Sequence, residues 1–159
     1  MKSLITYYSF SGHTDKVAQI FAGVLKEKGE VRIQRLRPKD EISSFMGQCK
    51  AARLHQKPEL DGDVIFDLAP YDMIVIGSPV WAFAPAPSIN TYLDKILGLG
   101  GKRVALLLTS GSGLGVKACF KNIARALKKK DAAAIGEINI PDRKLDDGEF
   151  IAQSLRRIL

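Results

Sequence analysis

Apolar and polar positions along the chain predict strands and helices in alternation. Residues 4–8 form a short apolar run typical of a strand, and a polar loop follows it. Apolar residues then recur at i, i+3, i+4, i+7 and i+8 through 17–25, which predicts an amphipathic helix that ends near Gly29. The alternation of apolar and polar residues over 31–36 predicts a second strand.

The second half of the chain repeats this alternation. The continuous apolar run 73–77 is typical of a central parallel strand that is covered on both faces. A proline-containing loop (78–87) follows, and then a helix with Ser88 at its start. The remaining predicted elements are a strand at 104–108, a helix at 116–127, a strand within 133–138, and a last helix capped by Asp146 or Asp147. Segment 38–70 is harder to interpret, although its apolar positions favour a helix to about Leu54.

Strands and helices therefore alternate five times, which predicts an α/β fold with a parallel sheet between helices. Right-handed crossovers leave few topologies. We expect a doubly wound, five-stranded parallel sheet of order 2-1-3-4-5 with helices on both faces. The length of 159 residues predicts one domain, 1–159.

Two cysteines, Cys49 and Cys119, lie far apart and without the CxxC spacing, so neither a disulfide framework nor a metal site is expected. We expect both to be small apolar residues in a reducing compartment. No apolar stretch approaches the ~20 residues of a membrane span, and the N-terminal run is too short and polar for a signal peptide. The expected location is cytoplasmic.

The chain is basic, with 24 Lys and Arg against 17 Asp and Glu and a pI near 9.5. This charge favours anionic partners. The only triple run, Lys128–Lys130, falls at a predicted helix C-terminus, where cations complement the helix dipole. We therefore expect no nucleic-acid site.

Three loops follow strand ends at the edge where open α/β sheets bind ligands, namely 9–14, 78–87 and 110–115. The first supplies the hydroxyls of Ser9, Ser11 and Thr14, and Gly12 permits close backbone approach. It enters a helix N-terminus, which favours an anion. No lysine or arginine lies between residues 3 and 15, so neutral groups would hold that anion. An ordinary capped turn with an exposed His13 is the alternative.

Other phosphate and phosphoryl-transfer sites do not fit the first loop. GxxxxGK[ST] is absent, and no GxGxxG follows the first strand. The strand ends with neither the cysteine of a thiol phosphatase nor the acidic pair of a phospho-receiver domain.

The second loop places Trp81 and Phe83 on a proline-braced segment outside the predicted core, which suits a flat apolar ligand. It has no glycine, so a positive φ at Ala82 or Ala84 would cost roughly 1 kcal/mol more than at glycine. The third loop offers glycine N–H groups and serines to the polar edge of a ring. The alternatives are aromatic rings that fold back onto the core and a flexible third turn.

One ligand meets all three demands, a phosphate joined by a flexible chain to a flat heterocycle with a polar edge; this is FMN. The segments YYSFSGHT, GSPVWAFAPAP and LLLTSGSGLG resemble the phosphate loop and the two ring loops of the flavodoxin-like family, in its short-chain members. The resemblance implies a cofactor site made of Ser9, Phe10, Ser11, Gly12, His13, Thr14, Pro79, Val80, Trp81, Ala82, Phe83, Ser110, Gly111, Ser112 and Gly113.

The resemblance implies a redox protein in which the flavin performs the chemistry and no catalytic side chain is needed. Two activities remain open, an electron carrier between protein partners and an NAD(P)H-dependent reductase of a quinone or similar acceptor. Carriers of this family are typically acidic, so the basic charge favours NAD(P)H or an acidic protein as partner. A domain that has lost its flavin and serves as a binding module is the third possibility.

Overall fold

The computed structural model describes residues 1–159 as a parallel sheet between two layers of helices. The strands are β1 (Lys2–Tyr7), β2 (Glu30–Arg35), β3 (Met73–Trp81), β4 (Ala84–Pro85), β5 (Arg103–Ser110) and β6 (Ala134–Pro141). The helices are α1 (His13–Lys26), α2 (Phe45–Arg53), α3 (Pro87–Lys95), α4 (Val116–Lys128) and α5 (Gly148–Arg156), with a short 3-10 turn at Asp142–Lys144.

The sheet order is β2-β1-β3-β5-β6, and all four pairings along it are parallel. Counted over the five parallel strands this is 2-1-3-4-5, so the predicted topology is confirmed. The strand order reverses between β1 and β3, which opens a crevice at the carboxyl edge between them. The short β4 is additional, because it folds back antiparallel on the end of β3 and pairs Trp81 with Ala84.

The sheet has an apolar core on each face, which explains the continuous apolar runs of β3 and β5. Along β3, Ile74 and Ile76 face the core under α3 and α4, whereas Met73 and Val75 face the core under α1 and α5. This alternation follows from the two-residue period of a strand. Since both faces are covered, apolar side chains follow one another without alternation over 73–76 and 104–108.

The predicted loop 78–87 is largely regular structure, and this corrects the sequence interpretation. β3 continues to Trp81, and a two-residue turn of Ala82 and Phe83 leads into β4. Both turn residues have positive φ, 46° and 69°, as the twist of a two-residue hairpin demands. Helix α3 then begins at Pro87, one residue before the Ser88 start that we predicted.

Helix ends elsewhere follow ordinary capping chemistry. Asp147 caps α5, because its side chain accepts the Phe150 N–H at 3.0 Å. We predicted either Asp146 or Asp147 at this position. We expected all three residues of the Lys128–Lys130 run to complement the C-terminus of their own helix, α4. Lys130 instead donates to the carbonyls of Asp94 and Ile96 at 3.1 Å and so stabilises the end of α3.

The thiols of Cys49 and Cys119 are both free. Burial raises the pKa of the Cys119 thiol to about 12 and also raises that of Cys49.

None of the helices has the combination of length and apolar character that crossing a membrane requires.

Candidate functional site

A cavity of about 360 Å³ opens at the carboxyl edge of the sheet, where β1, β3 and β5 end. It lies at the reversal of strand order, the usual position of a ligand in such sheets. All three of the loops singled out in the sequence contribute to its walls. Its lining residues are Phe10, Ser11, His13, Thr14, Phe45, Pro79, Val80, Trp81, Thr109, Ser110, Gly111 and Asp142.

The first loop presents a run of free backbone donors. The N–H groups of residues 10–14 donate to no acceptor in the protein. Gly12 has φ 91° and precedes α1 directly, which turns these groups toward one side of the helix N-terminus. Thr14 is buried, so its N–H has little access to water. A bound ligand would supply the acceptor that this N–H lacks. An anion meets that need best, because the helix dipole adds to the donors.

Ser9 lies beneath this loop and holds it in shape. Its hydroxyl accepts the Asp15 N–H at 3.2 Å, in place of a side-chain cap on Gly12. Arg35 on β2 donates to the Ser9 carbonyl at 2.7 Å. A guanidinium from the neighbouring strand therefore reaches the backbone of this loop, at a carbonyl and not at the free N–H groups.

The first and third loops are joined by a buried pair of hydroxyls. Thr14 Oγ1 and Thr109 Oγ1 lie 2.8 Å apart, and both residues are buried. On the other side, Ser110 Oγ donates to Asn139 Oδ1 of β6 at 3.0 Å. These two bonds tie the start of α1 to the end of β5, and the end of β5 to β6.

Trp81 occupies a different place from the one predicted. It is only 6% exposed and belongs to the core, so the expectation of a tryptophan outside the core is wrong. Its ring meets Tyr8, Phe10 and Phe45 edge-on, with ring centres 5.7, 5.9 and 6.0 Å apart. This is a favourable arrangement of aromatic quadrupoles. One edge of the ring still lines the cavity, so the rigid core supplies an apolar wall.

The hairpin turn beyond Trp81 is strained. Ala82 and Phe83 adopt left-handed conformations that cost each of them about 1–2 kcal/mol. Ala82 has a positive φ, so the cost considered in the sequence analysis applies there, whereas Ala84 lies in β4. Phe83 remains 58% exposed, in agreement with the expected exposed aromatic residue, and packs against Gly115 at the start of α4.

Three lining residues were missed from the sequence, namely Phe45, Thr109 and Asp142. Asp142 follows β6, and its Oδ1 lies 3.2 Å from His13 Nδ1. Asp142 could have been predicted as a site residue, because it directly follows a strand at the carboxyl edge of the sheet, where ligands bind. Phe45 begins α2 in the segment that was hardest to interpret, and its contact with Trp81 could not be read from local pattern.

The remaining predicted site residues surround the cavity without lining it. Ser9 and Gly12 belong to the first loop but do not line the cavity, and Ala82 and Phe83 form the hairpin tip. Ser112 and Gly113 lie at the exposed tip of the third loop, where the Leu114 N–H bonds Ser112 Oγ at 3.3 Å.

Tyr7 and Asp15 form a hydrogen-bonded pair next to the first loop, in which the phenol donates to the carboxylate. Burial and then the Asp15 carboxylate raise the pKa of Tyr7 to about 12. The phenol therefore stays neutral over the physiological range and keeps Asp15 oriented at the helix start.

Comparison with known proteins supports the assignment of the fold. A sequence model of the flavodoxin family matches residues 2–156. An "NAD(P)H dehydrogenase (quinone)" of Brucella anthropi is 31% identical over 105 residues, 64% of this chain and 50% of that protein. The chain spans about half the length of the curated relatives it matches.

Solved structures show the same architecture. A flavoprotein of Lactobacillus acidophilus in complex with FMN has a TM-score of 0.67 at 24% identity, over 93% of this chain and 98% of that one. A flavoprotein of Bacteroides uniformis has a TM-score of 0.71 at 22% identity, over 98% and 97%. At these identities the likeness concerns the fold.

Proposed function

The chain belongs to the flavodoxin family, and from that premise we propose that it binds FMN non-covalently in the cavity and transfers electrons through it. The observation that carries this proposal is the run of free N–H groups over residues 10–14 at the start of α1. A phosphate dianion can accept several of these bonds at once. Ser11, His13 and Thr14 would add side-chain donors around it.

The rest of the cavity suits a flat ring with one polar edge. Val80, Trp81 and Phe45 offer apolar surface, while Ser110 and Gly111 offer hydrogen bonds on the side of the third loop. When bound, the flavin supplies the electron-transfer chemistry. The chain's own residues position the ring, exclude water from one face and hold the phosphate. Ser112 and Gly113 at the loop tip are proposed to meet the ring's polar edge as well.

A second activity is NAD(P)H-dependent reduction of a quinone or similar small acceptor. The name of the Brucella anthropi relative favours it, although the chain spans only half of that protein. The large exposed apolar side chains of Phe45, Phe83 and Leu114 also favour it, because they come from α2 and the two ring loops and would suit an apolar acceptor. Anaerobic mixing with NADPH separates the two activities, since only the reductase bleaches its visible flavin absorbance at a useful rate.

A cytoplasmic location completes the proposal. Two free thiols suit a reducing compartment better than a secreted one. Fractionation of the source cells tests it, and enrichment of the protein outside the cytoplasm would contradict it.

The main experiment is a titration of flavin-free protein with FMN, followed by fluorescence quenching. Riboflavin is the matched control ligand because it lacks only the phosphate. We expect saturable quenching by FMN and an affinity for riboflavin lower by about 100-fold, the value of one to two charge-assisted hydrogen bonds. Absence of saturable quenching, or equal affinity for the two flavins, would overturn the assignment.

A further inference from the structure

Helix α4 carries a row of exposed basic residues. Lys117, Lys121, Arg125 and Lys128 recur at intervals of three and four residues, so they share one face of the helix, and Lys129 extends the row. All five are exposed, and none forms an ion pair within the chain. The helix contains no acidic residue.

This arrangement opposes the stability of the helix. Lys117 with Lys121, Lys121 with Arg125, and Arg125 with Lys129 are like-charge pairs at i and i+4, and each such pair is unfavourable. Basic residues complement the dipole only near the C-terminus, whereas Lys117 lies in the first turn. Helix formation therefore does not account for the row. An anionic partner would relieve the repulsion between these cations, and this relief would favour binding.

The row continues into the rim of the candidate cofactor site. Leu114, 72% exposed, directly precedes Gly115 at the start of α4. Phe83, 58% exposed, comes from the β3–β4 hairpin and packs against Gly115. An apolar tip therefore adjoins a basic face that runs for about 17 Å along the helix, at 1.5 Å per residue. We call Leu114, Lys117, Lys121, Arg125 and Lys128 the α4 face.

We propose that the α4 face is the docking surface for an acidic redox protein. An apolar contact beside complementary charges is the usual composition of a protein interface. The groove along the cations is not uniformly basic, because it also contains Glu137 of β6. A protein surface, which carries charges of both signs, complements such a mixed pattern better than a uniformly anionic polyphosphate backbone does. No aromatic side chain lines that groove to stack on bases, so a nucleic acid fits less well. The proposal rests on the proposed function in calling the partner a redox protein.

The test measures binding of the FMN-loaded protein to an acidic plant-type [2Fe–2S] ferredoxin by amide chemical-shift perturbation, with basic cytochrome c as the opposite probe. We expect shifts concentrated in residues 114–129 with ferredoxin, a Kd that rises at least tenfold between low and moderate salt, and no comparable response to cytochrome c.

Two charge-matched variants locate the surface. The triple variant K117E/K121E/R125E should weaken ferredoxin binding at least tenfold. The control K26E/K28E/R32E changes exposed cations of α1, the following turn and edge strand β2 by the same total charge, and should weaken binding less than threefold. Leu114→Ser should weaken it three- to tenfold. If charge reversal prevents folding, the glutamine versions of both triples replace it.

Several outcomes would overturn the proposal. These are no saturable shifts with ferredoxin, equal losses in both triple variants, or tighter binding to a 20-base-pair DNA duplex or to phosphatidylserine vesicles than to ferredoxin. FMN affinity is measured on the same variants and should stay within twofold of the native value. Failure of the native protein to bind FMN would remove the proposed function, whereas the shift map would still report on the docking surface.

Discussion

Gly115 lies so close to Phe83 that a Cβ on Gly115 would stand 2.7 Å from the Phe83 Cα. Gly115 also has φ 79°, a conformation that disfavours any other residue. This contact joins the strained hairpin of the second loop to Gly115, the N-cap residue of α4. Two of the three loops around the cavity are therefore braced against each other.

Gly115→Ala is expected to destabilise the protein by about 2–4 kcal/mol, because a left-handed alanine and a backbone clash both contribute. Gly113→Ala is the matched control. Gly113 has φ 78°, but a Cβ there would meet nothing within 4 Å. It should cost only about 1 kcal/mol. Urea unfolding of the flavin-free proteins measures both, and equal losses would show that the Phe83 contact has no energetic weight.

Removal of both members of the buried hydroxyl pair should cost less stability than the two single removals added together. Thr14→Val leaves the Thr109 hydroxyl buried without its partner, at a cost of about 1–3 kcal/mol. The double variant with Thr109→Val should cost less than the sum of the single changes. A double-mutant cycle from denaturant unfolding gives the coupling energy. Strict additivity would mean that the two hydroxyls do not depend on each other.

The stability of the fold should decline in strong alkali, and Tyr7 should contribute. The pKa of Tyr7 rises to about 12 in the folded protein from its ordinary value of 10.0, so the unfolded chain loses this proton first as the pH increases. Tyr7 makes its full contribution to the free energy of unfolding below pH 10. That contribution is lost between about pH 10 and pH 12, with a slope of up to about 1.4 kcal/mol per pH unit.

Tyr7→Phe should flatten this decline relative to the native protein, although Tyr92, whose pKa burial also raises to about 12, still contributes. Unfolding midpoints at pH 8, 10 and 11 provide the measurement, with pH 8 as the reference for each protein. Parallel curves for the two proteins above pH 10 would contradict the role of Tyr7.

The two thiols should differ sharply in reactivity. Cys119 is fully buried and has a pKa raised to about 12, so it should resist a disulfide reagent in the folded state. Cys49 is only partly buried and should react slowly. Labelling with and without guanidinium tests this, and Cys49→Ser should leave no reactive thiol under native conditions. Fast labelling of Cys119 in the native Cys49→Ser protein would contradict the packing of α4.

The order and kind of the elements could be predicted from local pattern, and so could the five-stranded topology. Apolar periodicity of 2.0 or 3.6 residues identifies strands and helices, and right-handed crossovers restrict their order. The prediction was least accurate at residues 78–87. There, prolines and a tryptophan suggested an exposed loop, whereas pairing of Trp81 with Ala84 extends the strand.

The chemistry of the three loops could be read from consecutive positions, because small hydroxylated residues, Gly12 and the start of a helix are local features. The distant groups that join these loops become visible only in the folded chain, where Thr109 bonds Thr14, Asp142 lies beside His13 and Arg35 donates to the Ser9 carbonyl. The fold also buries Trp81, because two aromatic rings after β1 and a third at the start of α2 give the Trp81 ring more apolar contact than solvent does. Such contacts depend on the register of parallel strands, which no local pattern specifies.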